Sequence, residues 1–158
     1  MKDSIKRGFS FGLTTGVVTT LGMIMGLNAS TNSLLAILGG IIIIAIADAL
    51  SDAFGVHMSE EFANGKDQKS VWEATLSTFL FKFVIALTFI IPFLLFTLDI
   101  AIIVCIIYGL LLIGIFSYYL GKSQKINKKK VVLEHLGIAI FVIIATHLVG
   151  NLIRIIFS

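Results

Sequence analysis

The sequence predicts an all-α integral membrane protein with five transmembrane helices and a cytoplasmic N-terminus. Three observations lead there. Hydrophobic residues make up 58% of the 158-residue chain and charged residues only 13%, whereas a soluble domain is about 45–50% apolar. Five apolar runs, at 8–27, 33–58, 74–96, 100–120 and 132–157, each match the ~20 residues that cross a ~30 Å hydrocarbon core as a helix. The basic residues also alternate between breaks. Lys2, Lys6 and Arg7 precede the first run, Lys66 and Lys69 follow the second, and Lys122, Lys125, Lys128, Lys129 and Lys130 follow the fourth. The breaks NASTN (Asn28 to Asn32) and TLD (Thr97 to Asp99) carry no lysine or arginine. Cytoplasmic loops are enriched in these residues. The loops at about 60–73 and 121–131 are therefore expected in the cytoplasm, and the C-terminus outside or in a lumen. The whole chain, 1–158, reads as one transmembrane domain.

The first run begins with MKDSIKR, as a signal peptide does. It is too long for one, and no clear small-residue cleavage site follows, so a retained helix is expected. Gly8, Gly12 and Gly16 are spaced by four, as are Gly22 and Gly26. Such spacing lets helices approach closely, within a protomer or across a dimer. Thr15, Thr19 and Met23 share one face. They either line a path or, in the case of the threonines, bond to their own backbone.

The second run contains ADALSDAFGVHMSEE. Asp48 and Asp52 stand four apart, on one helical face that continues through Gly55 and Ser59. An aspartate at mid-membrane costs about 2.5–3.5 kcal/mol, and less toward the ends. The nine leucines and isoleucines from Leu34 to Ile46 offset roughly 0.3–0.6 kcal/mol each. Two neighbouring carboxylates share either a proton or a cation, which suits a transport path. The alternative is a packing pair hydrogen-bonded to threonines. Oxygen ligands favour Mn, Fe(II), Ca or Mg. His57 lies half a turn off the aspartate face, as a ligand or as an interfacial polar residue. Glu60 and Glu61 sit at the cytoplasmic mouth, gathering cations or simply solvated.

In the third run Lys82 lies unusually deep. Either the helix extends into the cytoplasm or Lys82 pairs with an acid such as Asp48. Pro92 is expected to kink this helix. In the fourth run Cys105, the single cysteine, excludes an intramolecular disulfide and a cysteine zinc site, and is expected to pack in the core. The fifth run opens with Glu134 and His135 and later carries His147, Asn151 and Arg154 at i, i+4, i+7. His147 is a candidate metal ligand or proton relay, or a packing histidine. Arg154 is expected to snorkel to the outer interface. The basic segment GKSQKINKKK is a topology signal that also suits anionic lipid. There is no nucleophile–base set, phosphate loop or HExxH, so no enzyme is expected, and nothing points to nucleic acid.

Taken in order, these segments resemble the vacuolar iron transporter family. TTGVVTTLGMIMGL is similar to that family's first-helix pattern, an Asp-Gly followed by threonines and glycines. ADALSDAFGVHMSEE is similar to its second-helix Ala-x-Ser-Met-x-x-Gly-Glu-Tyr-x-Ser pattern. ATLSTFLFKFVIALTFIIPFLL resembles its third helix and ATHLVGNLI the end of its fifth. The resemblance implies a five-span homodimer that exports iron(II) or manganese from the cytoplasm in exchange for protons, with the metal as cargo and no permanently bound cofactor. The chain departs from the pattern at Thr15, Asp52, Val56 and His57, where the family has aspartate, methionine, glutamate and tyrosine. Acid is thus moved from the first helix to the second. The segment EEFANGKDQKS is too short to hold a separate metal-collecting domain.

The expectation is a divalent-metal carrier in a cell membrane, or in a vacuolar or other organelle membrane if the source is eukaryotic. Asp48, Asp52, Thr15, Thr19 and Met23 form its path. Asp48, Asp52, Glu60 and Glu61, with His57 and His147, are its candidate metal ligands. Two rivals remain open: a proton-coupled carrier of a non-metal substrate, and a non-transporting module or partner subunit that kept the fold.

Overall fold

Each apolar run forms a helix, and the helices outrun the hydrophobic segments that announce them. The computed structural model describes residues 2–63 and 67–157. Its elements are α1 (Asp3–Thr31), α2 (Leu34–Phe62), α3 (Gln68–Thr88), α4 (Ile90–Leu95), α5 (Leu98–Ser123) and α6 (Lys128–Phe157). Among the described residues, five helical stretches are long and apolar enough to cross a membrane, counting Gln68–Leu95 as one. Gly65 and Lys66, expected in the second cytoplasmic segment, lie outside the described residues.

The expected breaks shrink because their polar residues bond to helix ends. The Ser30 and Thr31 hydroxyls donate to the Gly26 and Leu27 carbonyls at 2.9 and 2.7 Å. NAST therefore continues α1, and the turn reduces to Asn32 and Ser33. Asn32 takes a left-handed φ of 47°, which asparagine tolerates. Asp67 caps α3, accepting from the Lys69 and Ser70 amides, and Asn127 caps α6, accepting from those of Lys129 and Lys130. A capped end lets a helix run past its apolar stretch, so hydropathy marks that stretch rather than the helix end. The expected kink appears as a break at Phe89, three residues before Pro92. Pro92 has no N–H to offer the Thr88 carbonyl, so the ladder stops there.

The helices divide between two compact units, Met1–Thr20 with Ile41–Ile90, and Leu21–Gly40 with Ile91–Ser158. In the first, Gly8 and Gly12 face α3 so closely that an added Cβ would stand 2.4 Å from the Ala74 carbonyl oxygen and 2.7 Å from that of Thr78. Only hydrogen fits there. On α2, Ala45, Ala49 and Ala53 are buried while Ile46, Leu50 and Phe54 are exposed. Small residues inside and large apolar residues outside reverse the soluble pattern, and an apolar surface on this scale is consistent with membrane association.

In the second unit the tight glycine sits on α6. A Cβ at Gly150 would stand 2.4 Å from the Gly26 carbonyl oxygen. At the α5–α6 connection, the Ile126 amide bonds back to the Gly121 carbonyl at 3.1 Å with Lys125 left-handed at φ 57°, a Schellman-type stop. Cys105 is fully buried, in keeping with a packing role. Ile103, Ile107, Leu111 and Ile115 present an exposed apolar face at i+4 spacing.

Candidate functional site

The charges in the apolar part of the first unit converge on one ammonium. Lys82 of α3 is 1% exposed. Its Nζ lies 2.5 Å from Asp48 Oδ2 and is also bonded to Asp52 Oδ2. Both acids are on α2, one turn apart, so one lysine spans the pair. α1 completes the shell. Thr19 Oγ1 lies 2.8 Å from Asp48 Oδ2, and Thr15 Oγ1 lies 2.9 Å from Asp52 Oδ2. Each hydroxyl is also 2.8 Å from a carbonyl of its own helix, that of Thr15 and that of Phe11, so both expected roles of the threonines meet here. The lower-numbered threonine meets the higher-numbered acid, as antiparallel helices require.

The glycine spacing of α1 makes this geometry possible. A Cβ at Gly16 would meet Lys82 Cγ at 3.2 Å, and one at Gly12 the Lys82 amide nitrogen at 3.1 Å. The lysine stem lies along that glycine face with its head at the acids, where a side chain on α1 would block it. The carboxylates keep side-chain exposures of 27% and 23%, against 2% for the lysine. The cation is thus enclosed and its anions are partly open. With both acids ionised, the cluster carries a net charge of −1. At an effective dielectric near 20, unit charges about 4 Å apart attract by about 4 kcal/mol before desolvation is charged against them.

The remaining sequence candidates fall elsewhere. Met23 belongs to the second unit, where its sulfur stands 2.7 Å from the Cβ position of Gly40. It packs there on a glycine. Glu60 is buried and holds Arg7 through two bonds, at 2.9 and 3.1 Å, so its carboxylate is engaged at the end of α2. Glu61 is exposed, 4.0 Å from His57 Nε2. His57 Nδ1 meets Thr75 Oγ1 at 3.0 Å, and its ring packs edge-on against Trp72 with centroids 4.8 Å apart. His147, in the second unit, pairs through Nε2 with Asn151 Nδ2 at 3.0 Å, and Arg154 donates to Asn151 Oδ1 at 3.3 Å. Among the described residues, no group of three or more His, Cys, Asp or Glu side chains is gathered as a metal ion would need. The six candidate ligands therefore do not form one set. What is gathered is two carboxylates, two hydroxyls and an ammonium.

Several contacts escaped sequence reasoning. Glu73 accepts from Lys2 at 2.5 Å and from Ser4 at 2.8 Å, and Arg7 meets Glu60. These join charges 53 to 71 positions apart, with no local pattern to announce them. His135 Nδ1 meets the buried Ser117 hydroxyl at 2.7 Å. Among the described residues, the buried atoms Thr20 Oγ1, Asn28 Oδ1 and His147 Nδ1 meet no hydrogen-bond partner. Comparison of the chain with protein-family models, curated proteins and solved structures finds no match.

Proposed function

We propose that this chain is a membrane carrier of divalent cations, iron(II)- or manganese-like, whose site is the carboxylate pair Asp48 and Asp52. It works as a homodimer with a cytoplasmic N-terminus, and exports its cargo in exchange for protons, as the family resemblance implies. The single observation that carries the reading is that both aspartates are held by one cation already, the Lys82 ammonium.

The two carboxylates together offer a charge of −2, which a divalent ion matches and a lysine only half neutralises. Ammonium and metal cannot share the same oxygens without repelling. An incoming ion therefore displaces Lys82, and Lys82 closes the pair again when the ion leaves. The acids are never left bare in an apolar setting, where unpaired charge is costly. Thr15 and Thr19 supply the further oxygen donors that a hard cation prefers.

Liposome uptake tests this. Protein reconstituted with an imposed proton gradient should move Mn(II) or Fe(II), and Asp48→Asn and Asp52→Asn should abolish the flux. Lys82→Met should bind the ion more tightly and release it more slowly, lowering the half-saturating concentration together with the turnover. A second reading has an observation of its own. The Oδ2 atoms of both acids are held from within the protein, by Lys82 and the two threonines, as in a static clamp of a non-transporting module. Absence of flux for every ion tested, with all variants folded, favours that module. Proton-driven flux of another solute, unaffected by metals, favours a proton-coupled carrier, for which a residual charge of −1 is the better match.

A further inference from the structure

We propose that the groove between α5 and α6 is a binding site for one anionic phospholipid, with an acyl chain in the groove and the headgroup on the lysines at its end. The groove is a shallow, largely open depression of about 840 Å³, lined by Ile107, Leu111, Gly114 and Tyr118 of α5 and by Leu136 and Ile140 of α6. Its lining is apolar along its length, which suits a hydrocarbon chain. At 1.5 Å per residue the stretch from Ile107 to Tyr118 is about 17 Å long, close to the ~15 Å depth of one leaflet's hydrocarbon. Gly114 leaves open space within the groove. A Cβ there would meet nothing within 4 Å.

Charge identifies which lipid the groove takes. Tyr118 closes one end, and Lys128 Nζ stands 5.3 Å from its ring centroid. Beside Lys128, the segment 122–130 supplies Lys122, Lys125, Lys129 and Lys130 with no acidic residue. Among the described residues, Lys130 alone of these five has a carboxylate in range, Glu134 at 3.9 Å. A basic segment at the end of an apolar groove, with the Lys128 ammonium set over Tyr118, is complementary to a phosphate with its acyl chain attached. Tyr118 and Tyr119 have the amphipathic rings that lie at headgroup level. Zwitterionic lipid fits the groove equally well and gains much less from the lysines.

The test is native mass spectrometry of the full chain in detergent, titrated with dioleoyl phosphatidylglycerol or dioleoyl phosphatidylcholine. Wild type should retain one phosphatidylglycerol in clear preference to phosphatidylcholine. Gly114→Leu puts a side chain into the groove from a position where its Cβ meets nothing within 4 Å, and should remove the retained lipid. Gly137→Leu, also in open space but outside the groove, should not. Lys122→Gln with Lys128→Gln should lower phosphatidylglycerol retention about tenfold and leave phosphatidylcholine unchanged. Equal retention of both lipids overturns the proposal. So does loss on the lysine variant alone, which marks an unspecific basic surface. A Gly114→Leu chain that changes its oligomeric state in lipid-free detergent also overturns it, because the groove is then covered by a second copy.

Discussion

α1 carries two glycine seams, and they are built differently. Upstream, Gly8 and Gly12 meet the backbone of α3, and Gly16 meets the stem of Lys82. Downstream, a Cβ at Gly22 would touch the Val142 methyl at 2.9 Å, and one at Gly26 would stand a comfortable 3.5 Å from the Thr146 carbonyl oxygen. The polar groups beside the seams differ as well. Upstream, Thr15 and Thr19 bond carbonyls of their own helix and reach the aspartates across helices as well, and Ser4 bonds to Glu73. Downstream, Thr146 bonds to the Val142 carbonyl of its own helix at 2.8 Å. The same small-residue spacing thus serves two ends. One seam only brings helices together, whereas the other holds a lysine under two acids. What separates them is the polar cross-links that the close approach makes possible.

Removing the ammonium should give the largest effect. Lys82→Met leaves two carboxylates face to face and should cost about 3–5 kcal/mol of stability, the usual result of orphaning a buried ion-pair partner. Adding Asp52→Asn should recover much of that loss. A thermal or denaturant midpoint in detergent measures both, and a loss under ~1 kcal/mol for Lys82→Met would mean the acids do not depend on it. Next comes the contrast between seams. Gly12→Ala forces backbone apart and should cost about 1–3 kcal/mol, whereas Gly26→Ala should change the midpoint by no more than ~0.5 kcal/mol. Equal effects at the two positions would erase the distinction drawn above. Thr19→Val should cost about 1 kcal/mol, because Asp48 keeps Lys82 when the hydroxyl is lost. The smallest change, and a gain, is expected for Gly55→Ala. A Cβ at Gly55 meets nothing within 4 Å, and alanine in a helix interior should add ~0.5–1 kcal/mol. Urea midpoints of the two chains would show it.

Much of this was legible in the sequence, and for physical reasons. A bilayer demands long uninterrupted apolar runs, so the runs could be located. It makes no such demand on where a helix ends, and the helices run on into segments that looked like loops. Asp48 and Asp52 stood out because acids are expensive in apolar surroundings, and Lys82 stood out for the same reason. Their pairing was within reach as one of two readings of Lys82. That one ammonium would serve both acids was not, since it depends on how far Gly12 and Gly16 let α3 approach. The stripe Thr15, Thr19, Met23 is a real helical face. It changes partner along its length, though, from acids beside the threonines to a glycine beside Met23. Glu60 read as an open charge because nothing local to it names Arg7.

The ion cluster also bears on how the chain is made. Asp52 leaves the ribosome 30 residues before Lys82. For that interval α2 carries two acids without their counter-ion, and its leucines and isoleucines only about balance the charge. In the membrane setting proposed for this chain, α2 is therefore held less firmly alone than its leucines and isoleucines suggest. It gains a firm hold once α3 arrives with the lysine. The two helices are best delivered together as a hairpin, and a nascent chain truncated at Ala63 should slip back out where one extended through Leu95 stays.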